Sequence, residues 1–243
     1  MRAIIKKEMS AFFSAPEGYL IIAVFLLLNG FFLWIFKTNY NIFDAGFAEL
    51  TAFFELVPWI FMFLIPAVTM KSFTEERKSG TLELLLTKPL GLRYIILGKF
   101  FGAFLLVFTA LLPTLLYSVT LVKISMDKAI IDFGSIVASY FGLLFLTGAY
   151  SALGIFSSAI TRHQTAAFIV AVCSCFLWYY GFEGIAELSA FDSFNSFLSN
   201  LGMKAHFNSM TRGVLDTRDM VYFLTVTLFF LFLTNVHFNF SNR

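Results

Sequence analysis

Six apolar runs, each long enough to cross a hydrocarbon layer, constrain this chain more than any other feature. They cover residues 19–36, 53–70, 100–122, 136–160, 165–182 and 220–236. A crossing helix needs about 17–25 apolar residues. Lipid offers backbone amides no water, so each run must close its hydrogen bonds on itself as a helix. The rest of the composition agrees. Of 243 residues, 59% are hydrophobic and 13% charged, and the mean hydropathy is +0.82. A soluble domain carries about 25% charged residues, so this chain cannot cover a globular surface with charge. The expected fold is an all-α integral membrane protein, one domain over 1–243. It has six transmembrane helices, an amphipathic interfacial helix over 1–14, a short helix between spans 2 and 3, and interfacial or re-entrant outer helices before span 6.

The first run is too long for a signal-peptide core, and no Ala-x-Ala-like site follows Phe36. Cys173 and Cys175 stand too close for an unstrained disulfide and read as small apolar fillers. Orientation follows from lysine and arginine. With the N-terminus inside, the inside segments hold Arg2, Lys6, Lys7, Lys71, Arg77, Lys78, Lys88, Arg93, Lys99, Arg162 and Arg243, against six basic residues outside. Both termini are therefore expected on the cytoplasmic side, with 71–99 as the main cytoplasmic loop.

Within the first helix, Ile5, Met9, Phe12 and Phe13 follow helical spacing, while Arg2, Lys6, Lys7 and Ser10 take the other face. Such a helix lies in the headgroup plane. It acts either as a positive anchor or as an elbow that moves with span 1. Ser14, Pro16 and Glu17 read as a capping box that opens span 1.

The stretch from Lys71 to Gly91 is the most informative. Glu75, Glu76, Arg77 and Lys78 mark the exit from the membrane. Gly80 permits a sharp turn. Thr81 can cap a new helix, and Glu83 falls in its first turn, where the helix dipole favours an anion. Leu82, Leu85 and Leu86 line one face, and Pro89 stops the helix. A helix of under two turns is too short to stand alone in water. Its leucines either pack back on the bundle and headgroups or dock into a groove on a soluble partner.

This loop resembles the coupling segment of ABC-2 type transporter permeases, in the pattern Glu-x-x-x-Gly-Thr-x-Glu-x-Leu-Leu-x-x-Pro carried here by Glu76, Gly80, Thr81, Glu83, Leu85, Leu86 and Pro89. The N-terminal elbow and the six-span topology match that family too. Residues 206–222 resemble the lead-in to the last span in its gliding-motility-associated (GldF-like) branch. The resemblance implies a permease subunit of an exporter-type complex in a bacterial inner membrane. Its partners would be a cytoplasmic ATP-binding subunit, a second permease chain (the same or different) and the bilayer, with no nucleic acid. It also implies that this chain binds no cofactor, and that ATP and Mg sit on the partner. The site residues implied are Glu75, Glu76, Arg77, Gly80, Thr81, Leu82, Glu83, Leu85, Leu86 and Pro89. Glu76 and Glu83 would orient the docking helix by polar contacts, and Leu85 and Leu86 would fill the groove.

The outer loop, 183–219, repeats apolar residues (Ile185, Leu188, Phe191, Phe194, Phe197, Leu198 and Leu201) every three or four positions. It reads as an amphipathic interfacial helix, with or without a gating role. Asp216 and Asp219 read as caps for span 6, and His206 is a lone histidine. Gly148 with Ala152 and Gly154 with Ser158 suit close helix contact, within the chain or at a dimer seam. Pro66 and Pro113 can bend spans 2 and 3, which flank the coupling loop.

No ionisable residue lies deep in any expected span, which argues against an ion-coupled carrier. No phosphate-binding Gly-x-x-x-x-Gly-Lys-Ser/Thr loop occurs, and no serine or zinc protease motif. Ser157 and Ser158 near His163 read as packing residues. Two rivals to the permease reading remain: a secondary transporter and a non-transporting membrane scaffold. The lack of charged pore residues leans the cargo toward a lipid-linked or apolar molecule.

Overall fold

The computed structural model describes residues 2–42, 50–81, 91–124, 132–188 and 200–241. Among these, all regular structure is helical: α1 (Arg2–Ser14), α2 (Pro16–Gly30), α3 (Thr51–Thr69), α4 (Lys71–Lys78), α5 (Leu92–Leu111), α6 (Leu115–Ile124), α7 (Phe133–Ile160), α8 (Gln164–Phe176), α9 (Phe182–Leu188), α10 (Met203–Thr211) and α11 (Thr217–Ser241). A π-helical stretch over Phe31–Ile35 ends α2, and another over Leu177–Gly181 joins α8 to α9. Six continuous helical stretches are long and apolar enough to cross a membrane: Pro16–Ile35, Thr51–Lys78, Leu92–Lys123, Phe133–Ile160, Gln164–Ala186 and Thr217–Phe240. These are spans 1 to 6 of a multi-pass membrane protein.

Burial separates the spans into two classes. In the most apolar stretch of spans 2, 3 and 4, 72%, 61% and 78% of the residues are buried within the chain, against 22%, 22% and 33% in spans 1, 5 and 6. Span 4 is the hub, because it is lined with small residues that let neighbours approach. A Cβ on Gly154 would lie 2.0 Å from Thr69 Oγ1 of span 2, and one on Gly142 would press on Phe207 and Met210 of α10. Gly148 faces Thr227 of span 6. The small-residue pairs of span 4 therefore serve packing within one chain. Phe25, Phe53, Phe61, Leu146 and Leu153 fill the core among these spans.

The prolines act differently. At Pro113 the α-helix gives way to a single 3-10 turn, Leu112–Thr114. Just after this turn the Tyr140 hydroxyl of span 4 donates to the Thr114 carbonyl at 2.9 Å, which ties the bend to a neighbouring span. Helix α3 runs unbroken through both Pro58 and Pro66, and the interruption falls later, at Met70.

Several boundaries differ from expectation. Span 2 continues as helix α4 to Lys78, and span 3 already begins at Leu92. Helical structure thus covers much of the expected 71–99 loop, and Glu76, Arg77 and Lys99 of this stretch find partners within the protein. In the outer loop, span 5 runs on through Leu188, and α10 is a separate helix; 189–199, with Phe191, Phe194, Phe197 and Leu198, lie outside the described residues. The capping box at span 1 does not form. Ser14 is the last residue of α1, Ala15 is the N-cap without a side-chain hydrogen bond, and Pro16 occupies the first turn as expected. Glu17 instead pairs with Lys71 at 2.5 Å.

Candidate coupling site

Four segments meet at the end of the bundle that carries α1: α1 itself, α4, the first two turns of α5 and the C-terminus of α7. Helix α1 reaches this place because span 3 offers it a groove. Gly98 and Gly102, one turn apart on α5, face Ile4 and Glu8, one turn apart on α1. A Cβ on Gly98 would meet Ile4 Cγ2 at 2.6 Å, and one on Gly102 would meet Glu8 Cβ at 2.7 Å. The face of α1 toward the bundle thus takes in Ile4 and Glu8 beside the expected Ile5, Met9, Phe12 and Phe13, all half-buried. It carries an acid at its centre.

That acid meets Lys99, which is 3% exposed although it was expected in a solvated loop. The ammonium lies 3.1 Å from Glu8 Oε1 and 3.0 Å from Glu76 Oε1. It donates to the Ser72 carbonyl at 2.6 Å, and the ring of Phe73 sits 5.2 Å away. An ammonium has three donors, and each has an acceptor here. Glu76 is drawn inward with it: its side chain is 14% exposed, and its Oε1 lies 3.7 Å from Lys7 Nζ. One lysine therefore ties together α1, α4 and span 3. Removing one partner from such a cluster leaves a buried charge uncompensated; the second oxygen of Glu76, Oε2, is buried without a hydrogen bond among the described residues.

A second set of bonds ties α4 to span 4. Arg77 donates from its two terminal nitrogens to the carbonyls of Thr161 and Ala159, each at 2.9 Å. A cation thus satisfies carbonyls that end the α7 helix, where the dipole favours positive charge. Ser158 bridges the interruption between α3 and α4. Its hydroxyl accepts from the Phe73 amide at 2.9 Å and donates to the Met70 carbonyl at 3.2 Å. Ser158 is thus more than a packing residue.

Helix α4 ends at a glycine turn. Gly80 has φ +69°, a left-handed conformation that glycine adopts without penalty. The hydroxyl of Thr81 turns back to the Glu76 carbonyl at 3.4 Å and to the Ser79 hydroxyl at 2.8 Å, so the bonds it makes close α4. Of the expected coupling residues, Glu76 and Arg77 point inward and Gly80 and Thr81 form the turn, while Glu75 is exposed. Glu76 thus anchors the base of α4 on Lys99. Leu82, Glu83, Leu85, Leu86 and Pro89 lie outside the described residues.

At the opposite end, Asp216 accepts from the Arg218 amide at 2.9 Å and caps span 6 as expected. Asp219 is not a cap: it faces His206 Nδ1 at 2.6 Å. The other ring nitrogen of His206 lies 2.8 Å from the Asn200 carbonyl, and the ring stacks on Tyr222 at 4.0 Å. Tyr222 in turn donates to the Leu201 carbonyl at 2.5 Å. A carbonyl only accepts, so that second nitrogen carries a hydrogen. The group clasps 200–206 to the first turns of span 6. No three His, Cys, Asp or Glu side chains gather into a possible metal site among the described residues.

From sequence, Glu8 carries no assigned role, Lys99 counts only as a basic residue of the loop, and Ser158 reads only as a packing residue. The signal available was Gly98-x-x-x-Gly102 in span 3, opposite an acidic residue on an otherwise basic helix. In comparison with known proteins, the family model described as ABC-2 family transporter protein matches residues 2–241. No curated protein matches the chain.

Proposed function

We propose a mechanism from one premise: this chain belongs to the ABC-2 transporter family, and so is a membrane-spanning subunit of an ATP-binding cassette transporter. In this reading, Leu82–Thr87 is the coupling helix, and Leu85 and Leu86 enter a groove on a separate cytoplasmic ATP-binding subunit. ATP and Mg belong to that partner. The end of the bundle that carries α1 then faces the cytoplasm of a bacterial inner membrane, with both termini on that side. Closure of the ATP-binding subunits displaces the coupling helix, and the displacement passes through the Gly80 turn into α4 and through Gly91 into span 3.

The junction at Lys99 carries this proposal. Through Glu8, Glu76 and the Ser72 carbonyl it joins α1, α4 and span 3, and Arg77 and Ser158 add span 4. A push at the coupling helix therefore moves the elbow and the inner ends of spans 2, 3 and 4 as one block. The path for cargo runs between this chain and a second permease chain. The likeness of 206–222 to the gliding-motility branch makes a role in gliding machinery the narrower form of the proposal.

The test is purification of the chain from its native membrane with whatever soluble ATPase accompanies it. Leu85→Asp is expected to release the ATPase. Lys99→Met, where folded, is expected to keep the ATPase bound and lose cargo-stimulated hydrolysis. Absence of any ATPase, even after cross-linking in the membrane, would remove the proposal.

A further inference from the structure

A cleft of about 590 Å³ opens at the α1-bearing end of the bundle, between the start of span 3 and the end of span 6. Arg93, Tyr94 and Leu97 line one wall, and Asn235 and Asn239 the other. Each wall is a helical face, since Arg93 and Leu97, and likewise Asn235 and Asn239, stand four residues apart. The two helices run in opposite directions. Arg93 and Asn239 therefore stand at the mouth, and Leu97 and Asn235 lie about a turn deeper.

None of the three polar side chains makes a hydrogen bond or ion pair among the described residues. This sets the cleft apart from the junction at Lys99, where every donor is used. A guanidinium and two amides beside leucine side chains form a recognition surface for an anion with an apolar tail. At the depth where a span leaves the hydrocarbon, the abundant anion of that form is a lipid phosphate, and basic pockets between spans are suited to lipid headgroups. The fork of an arginine matches phosphate oxygens in pairs. Asparagine amides donate to phosphate or glycerol oxygens. Tyr94, about half exposed, is of the kind that settles at headgroup level.

We propose that this cleft binds the phosphodiester headgroup of an anionic lipid, with Arg93 on the phosphate, Asn235 and Asn239 on the headgroup oxygens and an acyl chain along Leu97. The bound lipid braces span 3 against span 6 two residues from Lys99, at the base of the proposed coupling block. The inference does not depend on that mechanism.

The test uses the full chain, released for native mass spectrometry from nanodiscs of phosphatidylglycerol with phosphatidylethanolamine, or of phosphatidylcholine alone. The wild type should keep phosphatidylglycerol through delipidation and keep no phosphatidylcholine. Arg93→Gln should lower its retention about tenfold, the scale expected for one lost charge-assisted bond. Arg93→Lys should keep most of it, and Asn235→Leu/Asn239→Leu should weaken it without removing it. Melting curves separate lost binding from lost folding, because an unfolded variant loses its cooperative transition whereas an intact one keeps it. Equal retention of both lipids, retention unchanged in folded Arg93→Gln, displacement by millimolar inorganic phosphate, or a cross-link from residue 93 to a protein partner in place of lipid would each overturn the proposal.

Discussion

Lys99 shows how one side chain can hold several helices and still be invisible in a hydropathy profile. Its ammonium is buried, so the energies are those of low dielectric and not of a surface pair. Removing one member of a buried charge cluster costs about 3–5 kcal/mol, while replacing the whole cluster by apolar groups is often neutral. We therefore expect Lys99→Met to lower the thermal midpoint in detergent sharply, since it leaves Glu8 and Glu76 facing each other. The triple variant Lys99→Met, Glu8→Leu, Glu76→Leu should recover most of that loss. If the triple variant melts below the single one, the cluster is not the closed unit described here. The Glu17–Lys71 pair is the contrast. Its side chains are substantially exposed, so Lys71→Ala should cost under about 1 kcal/mol, and less still at high salt.

At the scale of elements, the seat of α1 on span 3 depends on two missing side chains. Gly98→Val places carbon where Ile4 already stands, and Gly102→Val does so at Glu8. Each is expected to lift α1 from span 3 and to expose residues 1–14 to protease, while Gly148→Ala, whose Cβ has 3.7 Å to its nearest neighbour, should be tolerated. Intact, protease-resistant Gly98→Val would show that α1 is held elsewhere. This seat also explains what the sequence could and could not reveal. The six spans were legible because hydropathy is a local property. The Gly80 turn was legible because a left-handed position selects glycine. The ends of spans 2 and 3 were not, since Glu76, Arg77 and Lys99 read as solvated charge until partners far along the chain are known. Lys99 meets Glu8 across 91 positions, and Arg77 meets Thr161 across 84. Asp219 failed in the same way: an acid in a first helical turn is ordinarily a cap, and only the fold brings His206 to it. We expect Asp219→Asn and His206→Phe each to loosen 200–206. The double variant should be no worse than the worse single, as members of one unit behave. Hydrogen exchange across 200–206 reads this directly.

For the whole molecule, the burial pattern limits where a second chain can join. Span 4 spends its surface inside the chain, since its small residues are covered by spans 2 and 6 and by α10. Spans 1 and 5 are the least buried. They also carry the two π-helical stretches, Phe31–Ile35 and Leu177–Gly181, both at the end opposite α1. A π stretch leaves the regular hydrogen-bond ladder and often marks a place where a helix must adapt. In the proposed mechanism, the path between two permease chains would run along this free surface, whose adaptable ends lie opposite α1, with the block around Lys99 moving at the other end. We therefore expect chain-to-chain disulfides from single cysteines at Leu20 or Leu27 of span 1 and at Ile169 or Leu177 of span 5, all exposed. None should form from Leu146 or Leu153 of span 4, which are fully buried. Cross-links confined to Leu228 and Phe232 of span 6 would move the seam, and with it the cargo path, to the opposite side of span 4. The π stretches would then be local packing features alone.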